Sequence, residues 1–278
     1  MKKVIKSRSF LKWAGGKYSL VDQIQKHLPS GERLVEPFAG AANVFLNTNY
    51  KEYWLNDINK DLIDLYKLIQ RDHKAFIKAA KTLFVPENNN KEAFLQLRAE
   101  FNEAASGLRR SAIFLYLNKH CFNGLCRYNS KGLFNVPFGK YSSVKFPEKE
   151  IEIFAEKSQK AKFTCLPFEK VFSQIKNGDV VYCDPPYAPI SKTALFTSYS
   201  TGGFDNKAQE QLAKCAEKCS GTVASVLISN HDLEITREWY VNAKISMIKA
   251  ARVINSKGTG RSKVSELFAL FAFSPHKL

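Results

Sequence analysis

Gly178-Asp179-Val180-Val181-Tyr182-Cys183-Asp184-Pro185-Pro186-Tyr187 holds a short apolar run that ends on an acid, two prolines and an aromatic ring. The apolar part predicts a buried parallel strand over residues 179–183. The polar part then forms a loop at the strand's carboxyl end, where open α/β sheets bind ligands. Pro185 and Pro186 each fix a φ angle and lack an N–H, so the loop is stiff and its main-chain groups there only accept hydrogen bonds. Asp184 is an acceptor too at neutral pH. Acceptors beside the flat ring of Tyr187 suit a planar group carrying an NH2. Taken alone, the tetrapeptide fits equally well a strand stopped by Pro-Pro with an acid on the surface.

Upstream, Arg33-Leu34-Val35-Glu36-Pro37 reads as a strand and Phe38-Ala39-Gly40-Ala41-Ala42-Asn43-Val44-Phe45 as a turn into a helix. Tyr53-Trp54-Leu55-Asn56-Asp57 is a second strand ending in an acid, 17 residues after Gly40. That separation is close to the one at which an acid meets a ribose hydroxyl in dinucleotide folds. A single glycine in the turn, where a dinucleotide fingerprint wants three, argues for a nucleoside cofactor without phosphates; an ordinary βαβ unit is the other reading. Before it, Phe10-Leu11-Lys12-Trp13-Ala14-Gly15-Gly16-Lys17 pairs a close backbone approach at the glycines with a Lys able to meet a carboxylate or a phosphate. It lacks the spacing of a P-loop, and an N-terminal turn with Trp13 in the core also fits.

The chain has 278 residues, a net charge of +16 and a pI near 9.5, enough length for one large domain or a domain with an insert. No Asp or Glu occurs over residues 1–21, 104–147 or 239–265, which carry six, seven and six Lys/Arg. Basic stretches without counter-charge favour a polyanion such as nucleic acid over a merely soluble basic surface. No amphipathic anchor helix, signal peptide or long apolar span is apparent, so a cytoplasmic location without membrane contact is expected. The six cysteines show no C-x-x-C or zinc spacing, so they read as buried reduced thiols, and no metal is expected.

From Lys60 to about Glu103 the pattern is helical, broken at Pro86-Glu87-Asn88-Asn89-Asn90, and residues 112–118 form another apolar helix. Phe122-Asn123-Gly124-Leu125-Cys126-Arg127-Tyr128-Asn129 and Phe134-Asn135-Val136-Pro137-Phe138-Gly139-Lys140-Tyr141 then make two arms of a loop or hairpin about residues 129–132. Asn and Arg read base edges, Lys and Arg hold phosphates, and rings wedge or stack. A loop over a small-molecule pocket is the competing reading. After Pro147 a βα rhythm returns: helix 148–158, strand 162–165, strand 179–183, helix 207–218, and strands 222–229, 244–249 and 266–273. Residues 195–204 read as a polar mobile loop, and 255–263 as a basic glycine-rich loop for phosphates. His231 has no Ser or Cys partner for a triad and reads as structural. The pieces make one α/β sheet domain, residues 1–59 and 148–278, interrupted by a helical basic domain at 60–147.

Taken in order, these stretches resemble the Dam family of bacterial and phage DNA adenine-N6 methyltransferases, which modify GATC. The motifs that carry the resemblance are residues 10–17, 36–40, 123–129, 134–139 and Asp184-Pro185-Pro186-Tyr187, and the similarity runs from about residue 8 to 273. It implies a Rossmann-like methyltransferase sheet with an inserted, mainly helical target-recognition domain carrying a β-hairpin loop. S-adenosylmethionine is the implied cofactor, S-adenosylhomocysteine its product, and double-stranded DNA containing GATC the partner of a monomer associated with the nucleoid. Asp184, Pro185, Pro186 and Tyr187 are the implied catalytic residues, holding the amine of a flipped-out adenine for direct attack on the methyl group. Trp13, Ala14, Gly15, Lys17, Phe38, Gly40, Asp57, Ile58, Phe168 and Asp184 fall at cofactor positions. Lys12, Phe122, Asn123, Leu125, Arg127 and Pro137 match positions that contact or replace bases. Arg98, Asn129, Asn135 and Lys140 match phosphate or flanking contacts.

Three residues depart from the pattern. Ala42 stands where many members have Gly, which predicts a tighter cofactor turn. Phe122 replaces a wedge Tyr, and Lys140 replaces Arg, a point charge for a fork. The competing classes are an amino-methyltransferase acting on cytosine, ribosomal RNA or a glutamine side chain, and a nucleic-acid-binding relative without activity.

Overall fold

The computed structural model describes residues 6–188, 204–249 and 265–273. The expected loop at 195–204 lies outside these residues apart from Phe204, as does the whole basic loop at 255–263. Strands are numbered β1 (Arg33–Glu36), β2 (Glu52–Asn56), β3 (Ala161–Thr164), β4 (Asp179–Cys183), β5 (Ser225–His231), β6 (Lys244–Lys249) and β7 (Ser265–Phe271). Helices are α1 (Val21–His27), α2 (Asn43–Asn47), α3 (Lys60–Lys81), α4 (Lys91–Glu103) and α5 (Leu108–His120). They continue with α6 (Glu148–Ser158), α7 (Phe168–Phe172), α8 (Asn206–Thr222) and α9 (Glu234–Trp239). The chain divides into two compact units: Met1–Val21, Gly40–Asn49 and Asp57–Cys165 form the first, and Asp22–Ala39, Tyr50–Asn56 and Leu166–Leu278 the second.

The first unit is mainly helical. Helix α3 starts where the Asn59 side chain accepts the Leu62 N–H, and α4 where Asn90 accepts from Ala93, each satisfying a donor that the first turn leaves open. Leu62, Leu65, Ile69 and Phe76 make the buried stripe of α3, and Phe94, Leu97 and Phe101 that of α4, at the spacing of one helical face. Helix α5 extends beyond the expected 112–118 to Leu108–His120, and every residue from Ser111 to Asn118 is buried. It is the axial helix of the unit, with α3 and α4 packed on it. A helix buried all round has no polar face to mark its ends, which is why its periodicity understates its length.

Among the described residues, the second unit holds six strands in the order β2-β1-β4-β5-β7-β6. β1 pairs in parallel with β2 and β4, and β4 with β5, whereas β7 runs antiparallel to both β5 and β6. Alternate residues of these strands, among them Val35, Trp54, Val181, Cys183, Val226, Ile228, Leu267 and Ala269, share one buried cluster with Leu212, Ala213 and Ala216 of α8. That period of two is the side-chain alternation of a strand, and the α8 residues are one helical face meeting it. Arg33 and Asp179 are register partners on β1 and β4 and form a two-pronged ion pair at 2.8 and 2.7 Å. It fixes the amino ends of the two strands between which the order reverses, and the crevice beyond their carboxyl ends is the expected ligand position.

Candidate active site

The carboxyl end of β4 lies in that crevice. All five residues of β4 are buried, and the chain then emerges through half-buried Asp184, buried Pro185 and exposed Pro186. Three neighbours lock the loop. The Ser229 hydroxyl donates to Asp184 Oδ1 at 2.8 Å, the Gln209 amide to the Pro186 carbonyl at 2.7 Å, and the Ala188 N–H to Asn230 Oδ1 at 3.1 Å. Asn230 is itself held by Gln209 and the Tyr240 hydroxyl, both at 3.0 Å. Tyr187 donates its hydroxyl to buried Glu266 at 3.0 Å and meets the His231 ring edge-on at 4.9 Å. Burial, with the Asp184 charge second, pushes the Tyr187 phenol well above its ordinary pKa, so it stays neutral. His231 Nδ1 lies 2.6 Å from the Ala188 carbonyl, which makes it the protonated nitrogen and His231 a structural brace, as its lack of a nucleophile predicts.

The carboxyl end of β1 contributes a ring surface. Half-buried Phe38 lies 5.6 Å from Phe168 and 5.4 Å from Phe204, and the latter two are 5.6 Å apart. Asn56, at the end of β2, donates to the carbonyls of Pro37 and Leu166 at 3.0 and 2.9 Å and accepts from the Leu166 N–H. One buried amide therefore spaces the segments that carry Phe38 and Phe168.

In the first unit, Asp57 closes the glycine turn. Its Oδ2 accepts the Gly40 N–H and its Oδ1 the Asn59 N–H, both at 2.9 Å. Burial raises the Asp57 carboxyl above its ordinary pKa, against the pull of backbone N–H groups of Asn59, Gly40 and Ile58. A carboxylate has about four lone-pair sites, so with three N–H groups on it Asp57 keeps capacity to accept from a ribose hydroxyl. Gly40 has φ 45°, and a Cβ there would meet the Trp13 indole at 3.0 Å, so the half-buried ring lies directly on the turn. Lys17 is 6% exposed and donates to the Gly15 carbonyl at 2.7 Å, while Ala14 and Gly15 are exposed. Ile58 is 72% exposed, a large apolar side chain open to a flat partner. Ala42 has φ 55° and ψ 32°, the left-handed conformation that favours glycine, which accounts for the residue type usual there.

The two arms after α5 form the expected hairpin, with antiparallel bridges Cys121 to Phe138 and Tyr128 to Phe134. Asn129 makes its turn, accepting the Lys131 and Leu133 N–H groups at 2.9 and 3.0 Å. Arg127 reaches across to Asn135 Oδ1 at 2.8 Å, and Arg98 donates to the Val136 carbonyl at 3.2 Å. Asn123, Arg127, Pro137 and Lys140 are exposed, Leu125 half-buried, and Phe122 presents its ring with 44% of the residue open. Lys12 is tied to this surface by Asn118, which accepts its N–H at 2.9 Å and donates to its carbonyl at 2.6 Å. The Lys12 ammonium sits 3.7 Å from the centre of the Tyr141 ring. Of the cysteines, 121, 183 and 219 are buried as expected; Cys165 is exposed and Cys126 and Cys215 half-buried, and all six are free thiols.

Residues 13–254 match the family of D12 class N6 adenine-specific DNA methyltransferases. The chain belongs to this family. It is 54% identical over 272 residues to the DNA adenine methylase of Vibrio cholerae, covering 98% of each chain. Against the DNA adenine methylases of Serratia marcescens and Escherichia coli K12 it is 53% and 52% identical, over 96% of its own length and 99% and 96% of theirs. This adenine-specific methyltransferase therefore acts on DNA and draws on a methyl donor. No helix among its described residues is long and apolar enough to cross a membrane. The motifs had marked the Asp184 loop, the Gly40 turn and the hairpin, but not Ser229, Gln209, Glu266 or Phe204. For Ser229 the trace was the polar end of β5 after an apolar run, Ser229-Asn230-His231.

Proposed function

We propose that the protein transfers a methyl group from S-adenosylmethionine to N6 of a flipped-out adenine within GATC in double-stranded DNA, by direct in-line attack of the amine. The observation that carries this reading is the Asp184 carboxylate, set by Ser229 at the carboxyl end of β4 beside the Pro185 carbonyl and the Tyr187 ring.

The residues present fit the donor. One glycine turn closed on a carboxylate suits a ribose and leaves no cradle for pyrophosphate. Trp13, Ala14, Gly15, Lys17, Gly40, Asp57 and Ile58 would hold it, as would Phe38, Phe168 and Asp184. When bound, S-adenosylmethionine supplies a methyl group on a positively charged sulfur.

The chain's own residues then prepare the amine. Adenine N6 is a poor nucleophile because its lone pair is delocalised into the ring. Asp184 and the Pro185 carbonyl accept its two N–H bonds and draw the lone pair out of the ring plane, with Tyr187 stacked on the base. The acceptors need no reorganisation, because prolines and Ser229 already hold them. Flipping is required because N6 is inaccessible within the stack. The target-recognition domain, residues 60–147, brings Phe122, Asn123, Leu125, Arg127 and Pro137 to the bases, where Lys12 of the N-terminal stretch joins them, and Arg98, Asn129, Asn135 and Lys140 to phosphates and flanks. The enzyme works as a cytoplasmic monomer, on nucleoid DNA.

The test is transfer of labelled methyl from S-adenosylmethionine to two unmethylated duplexes, one with GATC and one with those bases scrambled. Label on the GATC duplex alone is expected. Equal label on both overturns the assignment of the base-reading residues, and no label on either overturns the substrate.

A further inference from the structure

Asn59 stands between two parts of the first unit that the chemistry must use together. Its backbone N–H donates to Asp57 Oδ1 at 2.9 Å, on the carboxylate that also holds Gly40. Its side-chain oxygen accepts the Leu62 N–H at 3.1 Å and caps α3. Its side-chain nitrogen donates to Cys126 Sγ at 3.2 Å, in the first arm of the hairpin. Two residues further along, Asp61 accepts the Tyr128 hydroxyl at 2.7 Å and a two-pronged pair from Arg110 at 2.7 and 3.2 Å. Arg110 is itself fixed, donating to the Ala104 carbonyl at 2.8 Å and lying 4.0 Å from the centre of the Phe101 ring.

Cys126 and Tyr128 flank Arg127. The exposed guanidinium thus leaves the backbone between two side chains tied to the first turn of α3, which begins directly after the Asp57 turn. None of these ties lies in the hairpin's own hydrogen bonding, so they anchor the first arm to the α3 side, while Asn102 and Arg98 of α4 anchor the second arm at Phe134 and Val136.

We propose that Asn59 and Asp61 are positioning residues that couple occupancy of the donor site at Asp57 to DNA reading by the Arg127 arm. A ligand on Asp57 and Gly40 fixes the turn that carries Asn59; Asn59, through Cys126, fixes the arm. By reciprocity, DNA on the arm tightens the donor site by the same factor. The inference rests on the functional reading above, in that it takes Asp57 as a donor contact and Arg127 as a DNA contact.

The test uses the full chain, a GATC duplex, a scrambled duplex and S-adenosylhomocysteine, with duplex Kd measured with and without the nucleoside. In the wild type, S-adenosylhomocysteine is expected to tighten GATC binding by roughly tenfold, within the usual range of coupling between sites. Asn59→Ser keeps a helix cap and loses the reach to Cys126; Cys126→Ala removes the acceptor. Both are expected to bring the ratio to within about twofold of one while the affinity for S-adenosylhomocysteine alone stays within about threefold. Cys126→Ser, which keeps an acceptor, is expected to retain most of the coupling, a rescue that a purely structural role does not predict. A wild-type ratio of one, or full coupling in Asn59→Ser, overturns the inference while leaving the functional reading intact. A wild type that neither prefers GATC nor binds S-adenosylhomocysteine overturns the functional reading, and this inference with it.

Discussion

Asp184→Asn isolates what the carboxylate contributes. The Ser229 hydroxyl donates to Asp184 Oδ1 at 2.8 Å, and an asparagine satisfies that donor with its own Oδ1. Its other terminal atom then becomes NH2, a donor facing the N–H bonds of the adenine amine. Losing one hydrogen-bond partner of the transition state costs about 10²–10³ in kcat. Turning an acceptor into an opposed donor adds the cost of an unsatisfied polar group, about 1–3 kcal/mol, or a further factor of roughly 5–150. The single-turnover rate of methyl transfer to a GATC duplex is therefore expected to fall by roughly 10³–10⁵. Shape and volume are unchanged, so melting temperature and duplex Kd are expected to stay near wild type. Ser229→Ala, which leaves the carboxylate but loosens it, is expected to cost about tenfold, one hydrogen bond to a charged group. An Asp184→Asn enzyme within tenfold of the wild-type rate would refute the reasoning.

Gly124→Ala would place a Cβ 2.2 Å from Lys12 Cβ at a residue with φ 64°. A loss of about 2 kcal/mol in urea denaturation is expected, the left-handed penalty plus a forced shift of Lys12, together with weaker preference for GATC over the scrambled duplex. Asp179→Ala strips the partner from half-buried Arg33, whose side chain is 18% exposed against 5% for Asp179. Part of the burial cost is relieved by solvent, so about 2–4 kcal/mol of stability is expected to go, and an unchanged urea midpoint would contradict it. Buried His120 has its pKa lowered to about 4, first by burial. The unfolded chain, near pH 6.5, takes up the proton first as pH falls, so this contribution is complete above pH 6.5 and disappears between there and pH 4. It amounts to at most about 3 kcal/mol, and His120→Gln is expected to flatten the stability profile across that window.

The strands that carry the site could be read directly, because Val180–Cys183 and Leu34–Val35 are apolar runs ended by proline-bearing polar loops. The hairpin was readable too, since Gly132, with φ 72°, and Asn129 are turn residues between two aromatic arms. The placement of β7 between β5 and β6 was not, because the two last apolar runs carry no mark of direction or partner. The groups that set the catalytic loop were hidden for another reason. Ser229, Gln209 and Glu266 reach Asp184, Pro186 and Tyr187 from 45, 23 and 79 residues away, so no local spacing reports them. Asn59 looks like an ordinary helix cap in sequence, and only the fold brings its nitrogen to Cys126. Ala42 showed as a departure from a family pattern, while its physical meaning, a left-handed φ at a buried alanine, is a fact of the backbone.

The central claim concerns where the amine is held, and the position of one nitrogen tests it. In a crystal structure of the protein with a GATC duplex and S-adenosylhomocysteine, the account predicts the target adenine outside the helix. Its N6 should lie within about 3.2 Å of both an Asp184 carboxylate oxygen and the Pro185 carbonyl, under the Tyr187 ring. An extrahelical adenine whose N6 faces other groups, or one bound with Asp184 turned away, would contradict it.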